Sequence, residues 1–245
     1  MPNRVDGFVA EIDALGPGAV IPPDVLVPAG ADEQYRRARI ELLSKERALR
    51  EQAEEVAAAR RALPPGPVLG DYRFTEEPEP GRRREVRLAD LFGEHRTLVI
   101  YHLMYPRSAA EACPMCSMWV DGLQGVHRHL AQHTALAVVA DAAPADLRAW
   151  GVARGWRDQR LLSCGGTTFN RDLGAETAAG DPRPALSVLV AEGEDVRFSY
   201  TVHASFPQVG AERGIDLMSP VWQVLDLLPQ GRGGWYAGND YVLGS

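Results

Sequence analysis

The chain predicts an α/β fold, a central mixed sheet flanked by helices with a long N-terminal helical extension, on three observations. Apolar, β-branched runs at 97–105, 135–140 and 160–163 alternate with helical segments, the pattern of a layered sheet. Two further strand-like runs, 185–191 and 196–202, face each other across Glu192-Gly193-Glu194-Asp195 and read as an antiparallel hairpin. Between the first strand and its helix stands Cys113-Pro114-Met115-Cys116.

Taken in order, residues 1–30 are punctuated by Gly16-Pro17-Gly18, Pro22-Pro23 and Pro28 and read as an irregular lead-in. Asp32 then caps a charged helix reaching about residue 63, within a segment 31–66 stopped by Pro64-Pro65-Gly66-Pro67. Tyr35, Leu42, Leu49, Val56 and Leu63 fall seven apart on it. The complementary seam positions are Lys45, Glu46 and Gln52, too polar for a strong zipper. That stripe is expected to lie along its own domain or along the mate in a homodimer. The main domain is expected over 67–232, with a Gly- and Tyr-rich tail over 233–245.

Within that domain 70–75 reads as a strand, followed by an acidic, proline-rich loop and Arg82-Arg83-Arg84. Flanking glutamates make this arginine run a solvated loop in preference to a phosphate site. Residues 86–92 form a short element. After the strand at 97–105, Trp119, Leu123, Val126 and Leu130 recur at spacings of four, three and four, one helix face. A strand at 135–140, a helix at 144–154 and a strand at 160–163 follow. Cys164-Gly165-Gly166 turns into a polar, irregular stretch over 167–184. Ser219-Pro220 opens a last helix, 221–228, that Pro229 ends.

Bulk properties narrow the function classes. The 245 residues are 45% hydrophobic and 24% charged, ordinary for a globular protein with a full core. A net charge of −7 argues against nucleic acid or an anionic membrane as partner. Three cysteines make no disulfide scaffold. No signal-like leader or spanning apolar run is seen, so a cytoplasmic location is expected.

Strand, loop, Cys-x-x-Cys and helix is the context of a thioredoxin-like redox pair. A helix N-terminus favours thiolate, because free backbone N–H groups and the helix dipole stabilise negative charge there. Pro114 suits the first helical position, which places Cys113 at the N-cap as nucleophile and Cys116 one turn inside as resolving thiol. Thioredoxin-fold enzymes also carry a cis-proline facing the pair, at the start of the hairpin, and Pro184 holds that place in the order. An ordinary strand-initiating proline is the plainer alternative.

Other readings of the same cysteines stay open. Cys113 and Cys116 with His102, from the preceding strand, would suit copper, zinc or iron; His203 ends the hairpin and could join them. Two inert buried thiols are a further alternative. Pro106 and Cys113 have the Pro-x-x-x-Thr/Ser-x-x-Cys spacing of a peroxiredoxin, but Ala110 stands at the hydroxyl position, so efficient peroxide reduction is not expected. Cys116, His129 and His133 have zinc-finger spacing, yet ~20 Å of helix at ~1.5 Å per residue would separate Cys116 from His129. Cys164 reads as a small buried residue.

Several separated pieces carry a family resemblance: RRALPPGP (60–67), GDYRF (70–74), LADLF (88–92), TLVIYHLMY and CPMC (97–116), LLSCGGTTFNRD (161–172) and LDLLPQGRGGWY (225–236). Over 32–236 the chain resembles the thioredoxin-like proteins grouped as domain of unknown function 899. The resemblance implies a thioredoxin-like fold of the peroxiredoxin-related kind with an added N-terminal helix. Members are described as dithiol-disulfide oxidoreductase- or isomerase-like. Cys164 stands where relatives are expected to carry serine, which leaves a role for a third thiol open.

The expected function is therefore a thiol-disulfide oxidoreductase using Cys113, Cys116 and Pro184 on a small-molecule or protein disulfide, with no organic cofactor, since no Walker or dinucleotide-binding turn is present. The alternatives are a metal-dependent protein using Cys113, Cys116 and His102, and a non-catalytic partner-binding protein.

Overall fold

A computed structural model describes residues 27–203, 218–231 and 233–240. The expected lead-in falls, up to residue 26, outside the described residues. The chain divides into two units, Met1–Leu63 and Pro64–Ser245.

The first unit contributes α1 (Glu33–Arg61), whose N-cap is Asp32. Its carboxylate accepts from the Tyr35 N–H at 2.7 Å, satisfying one of the amides that a helix start leaves free. Glu33 in the first turn and Arg60 and Arg61 in the last complement the helix dipole.

Among the described residues the second unit is built on a seven-stranded sheet of order β2-β1-β5-β4-β3-β6-β7. The strands are β1 (Arg73–Glu79), β2 (Arg82–Arg87), β3 (Thr97–His102), β4 (Ala135–Ala140), β5 (Leu161–Ser163), β6 (Ala185–Glu192) and β7 (Asp195–His203). The helices are α2 (Pro114–Leu130), α3 (Pro144–Ala153), α4 (Phe169–Asp172) and α5 (Pro220–Leu225). β3, β4 and β5 run parallel, joined by α2 and α3, as parallel neighbours require a crossover. The β6–β7 hairpin adds antiparallel strands on the other side of β3. Parallel β-α-β units with a hairpin on the free side of the first strand make this a thioredoxin-like fold.

Alternation along β3 and β4 divides the interior into two cores. Leu98 and Ile100 join Val139, Leu162, Leu189 and Phe169 on one face of the sheet. Tyr101 and Leu103 join Val138, Trp119, Val120 and Leu147 on the other, where α2 and α3 pack. Side chains of successive strand residues point to opposite faces, so neighbours in sequence are assigned to different cores.

Two segments differ from the sequence reading, and a third is defined by the structure. The expected acidic loop and arginine run form a hairpin, β1–β2, turned at Gly81, whose φ of +75° suits glycine. Its register sets Glu76 opposite Arg84, Thr75 opposite Glu85 and Glu79 opposite Arg82. Cross-strand charge pairs replace the apolar alternation by which a strand is usually read. The short element expected over 86–92 contains a 3-10 turn, Leu88–Leu91, with Leu88 and Leu91 buried. The stretch expected to be irregular over 167–184 contains α4, which nucleates on Phe169, a fully buried ring edge-on to Phe74 at 4.9 Å.

Gly66 has a packing reason. A Cβ there would stand 2.3 Å from the Phe198 carbonyl oxygen, where the chain lies against β7 through Phe198 N–H to Pro67 O at 3.0 Å.

Leu162 is fully buried on β5, a strand of three residues, and belongs to the core on the Phe169 side of the sheet. Leu162→Ala is expected to destabilise the chain by ~2–5 kcal/mol, read from the denaturant midpoint. A shift below ~0.5 kcal/mol would contradict this packing.

Candidate active site

β3 leads the chain to the cysteines. Beyond His102 the backbone stays extended: the Leu103 N–H donates to the Val139 carbonyl at 2.9 Å, and the Met104 carbonyl accepts the Cys113 N–H at 2.9 Å. The intervening loop is folded on itself by Ala109 N–H to Pro106 O at 3.0 Å and Tyr105 OH to Ala110 O at 3.2 Å. Cys113 is the N-cap of α2 and Pro114 its first residue, and the Cys113 carbonyl accepts the Ser117 N–H at 2.9 Å. The nucleophile candidate is thereby tethered to a strand end on one side and to the first helical turn on the other.

The two sulfurs have opposite environments. Cys113 is half-buried and Cys116 is 1% exposed; both are free thiols. The Cys113 thiol is lowered to about 6, first by the hydrogen bond from the Cys116 thiol, against the opposing effect of burial, and then by the backbone N–H groups of Cys116 and Met115. The Cys116 thiol is pushed well up, first by burial and then by its bond to, and the charge of, Cys113. One sulfur is prepared as thiolate and the other retains its proton, the division of labour that a dithiol exchange reaction needs.

The first turn of α2 is held by aromatic groups. Tyr101 from β3 stacks on Trp119 at 6.0 Å, and the Trp150 indole N–H donates to the Ser117 hydroxyl at 3.1 Å. Farther along, Asp121 accepts from Arg154 and, at 2.8 Å, from the Trp156 indole. The Arg154 side chain is fully buried and also donates to Asn239 at 3.4 Å. Asn239 in turn donates to the Ala112 carbonyl at 3.1 Å and to Glu111 at 2.9 Å, beside the nucleophile candidate. The part of the sequence read as a tail thus supplies a clamp on the cysteine loop. A lone Asn in a Gly-rich stretch carries no periodic or motif signal that could have announced it.

The other expected residues lie elsewhere or behave differently. His102 belongs to the opposite face of the sheet, 1% exposed and stacked on Phe169 at 5.6 Å. Its Nδ1 lies 2.9 Å from the Asn170 side-chain oxygen and its Nε2 2.8 Å from the Ser187 hydroxyl, which also meets the Thr201 hydroxyl at 2.7 Å. Both ring nitrogens are committed, and burial lowers the imidazole to about 4. The set of Cys113, Cys116 and His102 as metal ligands is therefore corrected: strand alternation sends His102 away from the sulfurs. No three His, Cys, Asp or Glu side chains converge as a metal site among the described residues. Pro184 directly precedes β6, but its peptide bond is trans, and no cis bond occurs among the described residues. The expectation of a cis-proline is corrected to a strand-initiating proline, consistent with the extended backbone that precedes a proline.

Cys164 is 4% exposed in the His102-side core, and burial pushes its thiol up to about 12. It is a packed residue, unlike the half-exposed Cys113. Cys116 and His129 share the single continuous helix α2, which keeps them too far apart for one ion.

A thioredoxin-fold protein with a dithiol at a helix N-terminus is thus the class that fold and site define. Within that class the chain belongs to the family described as bacterial protein of unknown function (DUF899), whose model matches residues 26–242. No curated protein matches. Among solved structures, Enterococcus faecalis AhpC is 16% identical, with a TM-score of 0.46 over 71% of this chain and 98% of that one. Reduced Prx3 from Vibrio vulnificus in complex with hydrogen peroxide is 14% identical, with a TM-score of 0.44 over 60% and 88%. Reduced 2-Cys peroxiredoxin from Plasmodium vivax is 12% identical, with a TM-score of 0.42 over 66% and 94%.

Alkylation of the reduced chain by iodoacetamide is expected to follow the ionisation of Cys113, with a midpoint near pH 6. Cys116→Ala removes the largest stabilising donor and moves that midpoint upward, whereas His102→Gln, on the other face, leaves it in place. An unchanged midpoint in Cys116→Ala would sink the assigned cause. The same shift links to stability: an unfolded thiol ionises near ~8.5, so the folded chain binds fewer protons between about 6 and that value. The contribution of Cys113 is fully present above the unfolded pKa and is lost as pH falls through about 6. Cys113→Ser is expected to flatten this part of the stability profile in urea titrations at several pH values.

Proposed function

We propose that this chain is a thiol-disulfide oxidoreductase acting in the reducing environment of the cytoplasm on a small-molecule or protein disulfide. The single observation that supports it best is the pairing of a half-exposed, acidified Cys113 with a buried, protonated Cys116 across the first turn of α2.

The Cys113 thiolate attacks one sulfur of the substrate disulfide. A Cys113–substrate S–S bond forms, the substrate S–S bond breaks, and the second substrate sulfur leaves as thiolate. Once Cys113 is consumed, its negative charge no longer opposes ionisation of Cys116. Cys116 gives up its proton and attacks Cys113 Sγ, closing the internal disulfide and releasing the first substrate sulfur. Two electrons pass from the dithiol to the substrate. The Asn239 clamp and the Met104 carbonyl hold the backbone of the cysteine loop in place during both displacements. No organic cofactor takes part.

Oxidised glutathione serves as the probe. The reduced chain is expected to form the Cys113–Cys116 disulfide and keep Cys164 as its free thiol. Cys116→Ala should accumulate a glutathione adduct on Cys113, seen by mass spectrometry, and Cys113→Ala should react at least ~10²-fold more slowly. Equal reaction of Cys113→Ala and the parent chain would remove the proposal.

A further inference from the structure

A cavity of about 590 Å³ lies among β1, α3 and the loop that follows α3, within the size range of small-molecule sites. Its charged lining is Arg84, Arg148, Arg157 and Arg160 against Glu76 and Glu77. Four arginines facing two glutamates make this wall positive on a chain whose net charge is −7. None of these residues belongs to the cysteine loop.

Internal pairing uses only part of that charge. Glu76 accepts from Arg84 at 2.5 Å and from Arg160 at 3.0 Å. Glu77 accepts from Arg83 at 2.7 Å and from the Gly81 N–H at 3.1 Å. Arg148 Nε stands 3.6 Å from Glu77 Oε1, an ion pair in which the Nε–H makes no hydrogen bond among the described residues. Arg157, exposed at the cavity rim, pairs with no carboxylate among the described residues. A buried guanidinium N–H that makes no hydrogen bond, beside a guanidinium with no carboxylate, leaves donors for an anionic acceptor. The remaining wall is apolar where Pro78, Pro144, Val152 and Trp156 line it.

We infer that this cavity binds a small phosphate monoester, its head on Arg148 and Arg157 and its apolar body against Trp156 and the prolines. A phosphate monoester carries close to two negative charges at neutral pH, matching the two arginines in excess of the glutamates, whereas one carboxylate supplies a single charge. A guanidinium fork also matches phosphate oxygens in geometry. The cavity is larger than a bare phosphate needs, which assigns the apolar wall to the organic part.

Calorimetric titration of the full chain tests this with AMP as probe, adenosine as the uncharged control and succinate as the dicarboxylate control. AMP is expected to bind saturably and adenosine not at all. Arg157→Gln, an exposed position, and Arg148→Gln are each expected to weaken AMP by roughly tenfold, the loss of one charge-assisted contact. Thermal melting checks that each variant is folded; should Arg148→Gln fail that check, Arg157→Gln decides. Four outcomes overturn the inference: no AMP binding at millimolar concentration, equal binding of adenosine, succinate matching AMP, or full AMP affinity in Arg157→Gln.

Discussion

The alternation of side chains along β3 is the constraint on which the rest of the domain depends. Ile100 and His102 face one core while Tyr101 and Leu103 face the other, and both cores pack large buried groups against that single strand. A slip of one residue would exchange the His102 imidazole for the Tyr101 ring and expose every partner on both faces to the wrong chemistry. Because β3 is an interior strand of the sheet, hydrogen-bonded to β4 and β6, its register is specified from both sides. The same register delivers the Met104 carbonyl to the Cys113 N–H and so sets where the helix begins.

Once the helix begins there, the electrostatics of the sulfurs follow. A helix N-terminus by itself stabilises a negative charge by ~0.3–1 kcal/mol, whereas a hydrogen bond to a charged group contributes ~1.5–3 kcal/mol. The order of these magnitudes agrees with the Cys116 thiol being the largest influence on Cys113, ahead of the backbone amides. Burial acts in the same direction on both sulfurs, but at Cys113 the donors outweigh it and at Cys116 they do not. The opposite shifts of the two thiols are therefore a property of spacing and depth together.

Charge does structural work at the opposite end of the sheet. β2 is an edge strand, and its arginines pair across to β1, which blunts an edge that could otherwise recruit another strand. Glu76 and Glu77 are buried there, and burial of a carboxylate demands paired donors. Their partners come from Arg83 and Arg84 nearby and from Arg148 and Arg160 far along the chain. The His102–Asn170–Ser187–Thr201 chain of hydrogen bonds is the neutral counterpart, a polar string satisfied inside an apolar core.

Local pattern alone determined the strands read at 97–105 (which ends at His102 in the structure), 135–140, 185–191 and 196–202, the helix start at Cys113 and Pro114, and the spacing of the two cysteines, because periodicity and capping are properties of neighbours in sequence. Tertiary structure decided the β1–β2 hairpin, whose stability lies in cross-strand charge pairs and not in an apolar repeat. It also decided the face taken by His102, the trans bond at Pro184 and the Asn239 clamp on Ala112. Which core a strand residue enters depends on the register of partners far away in the chain, and a one-dimensional pattern carries no record of that register.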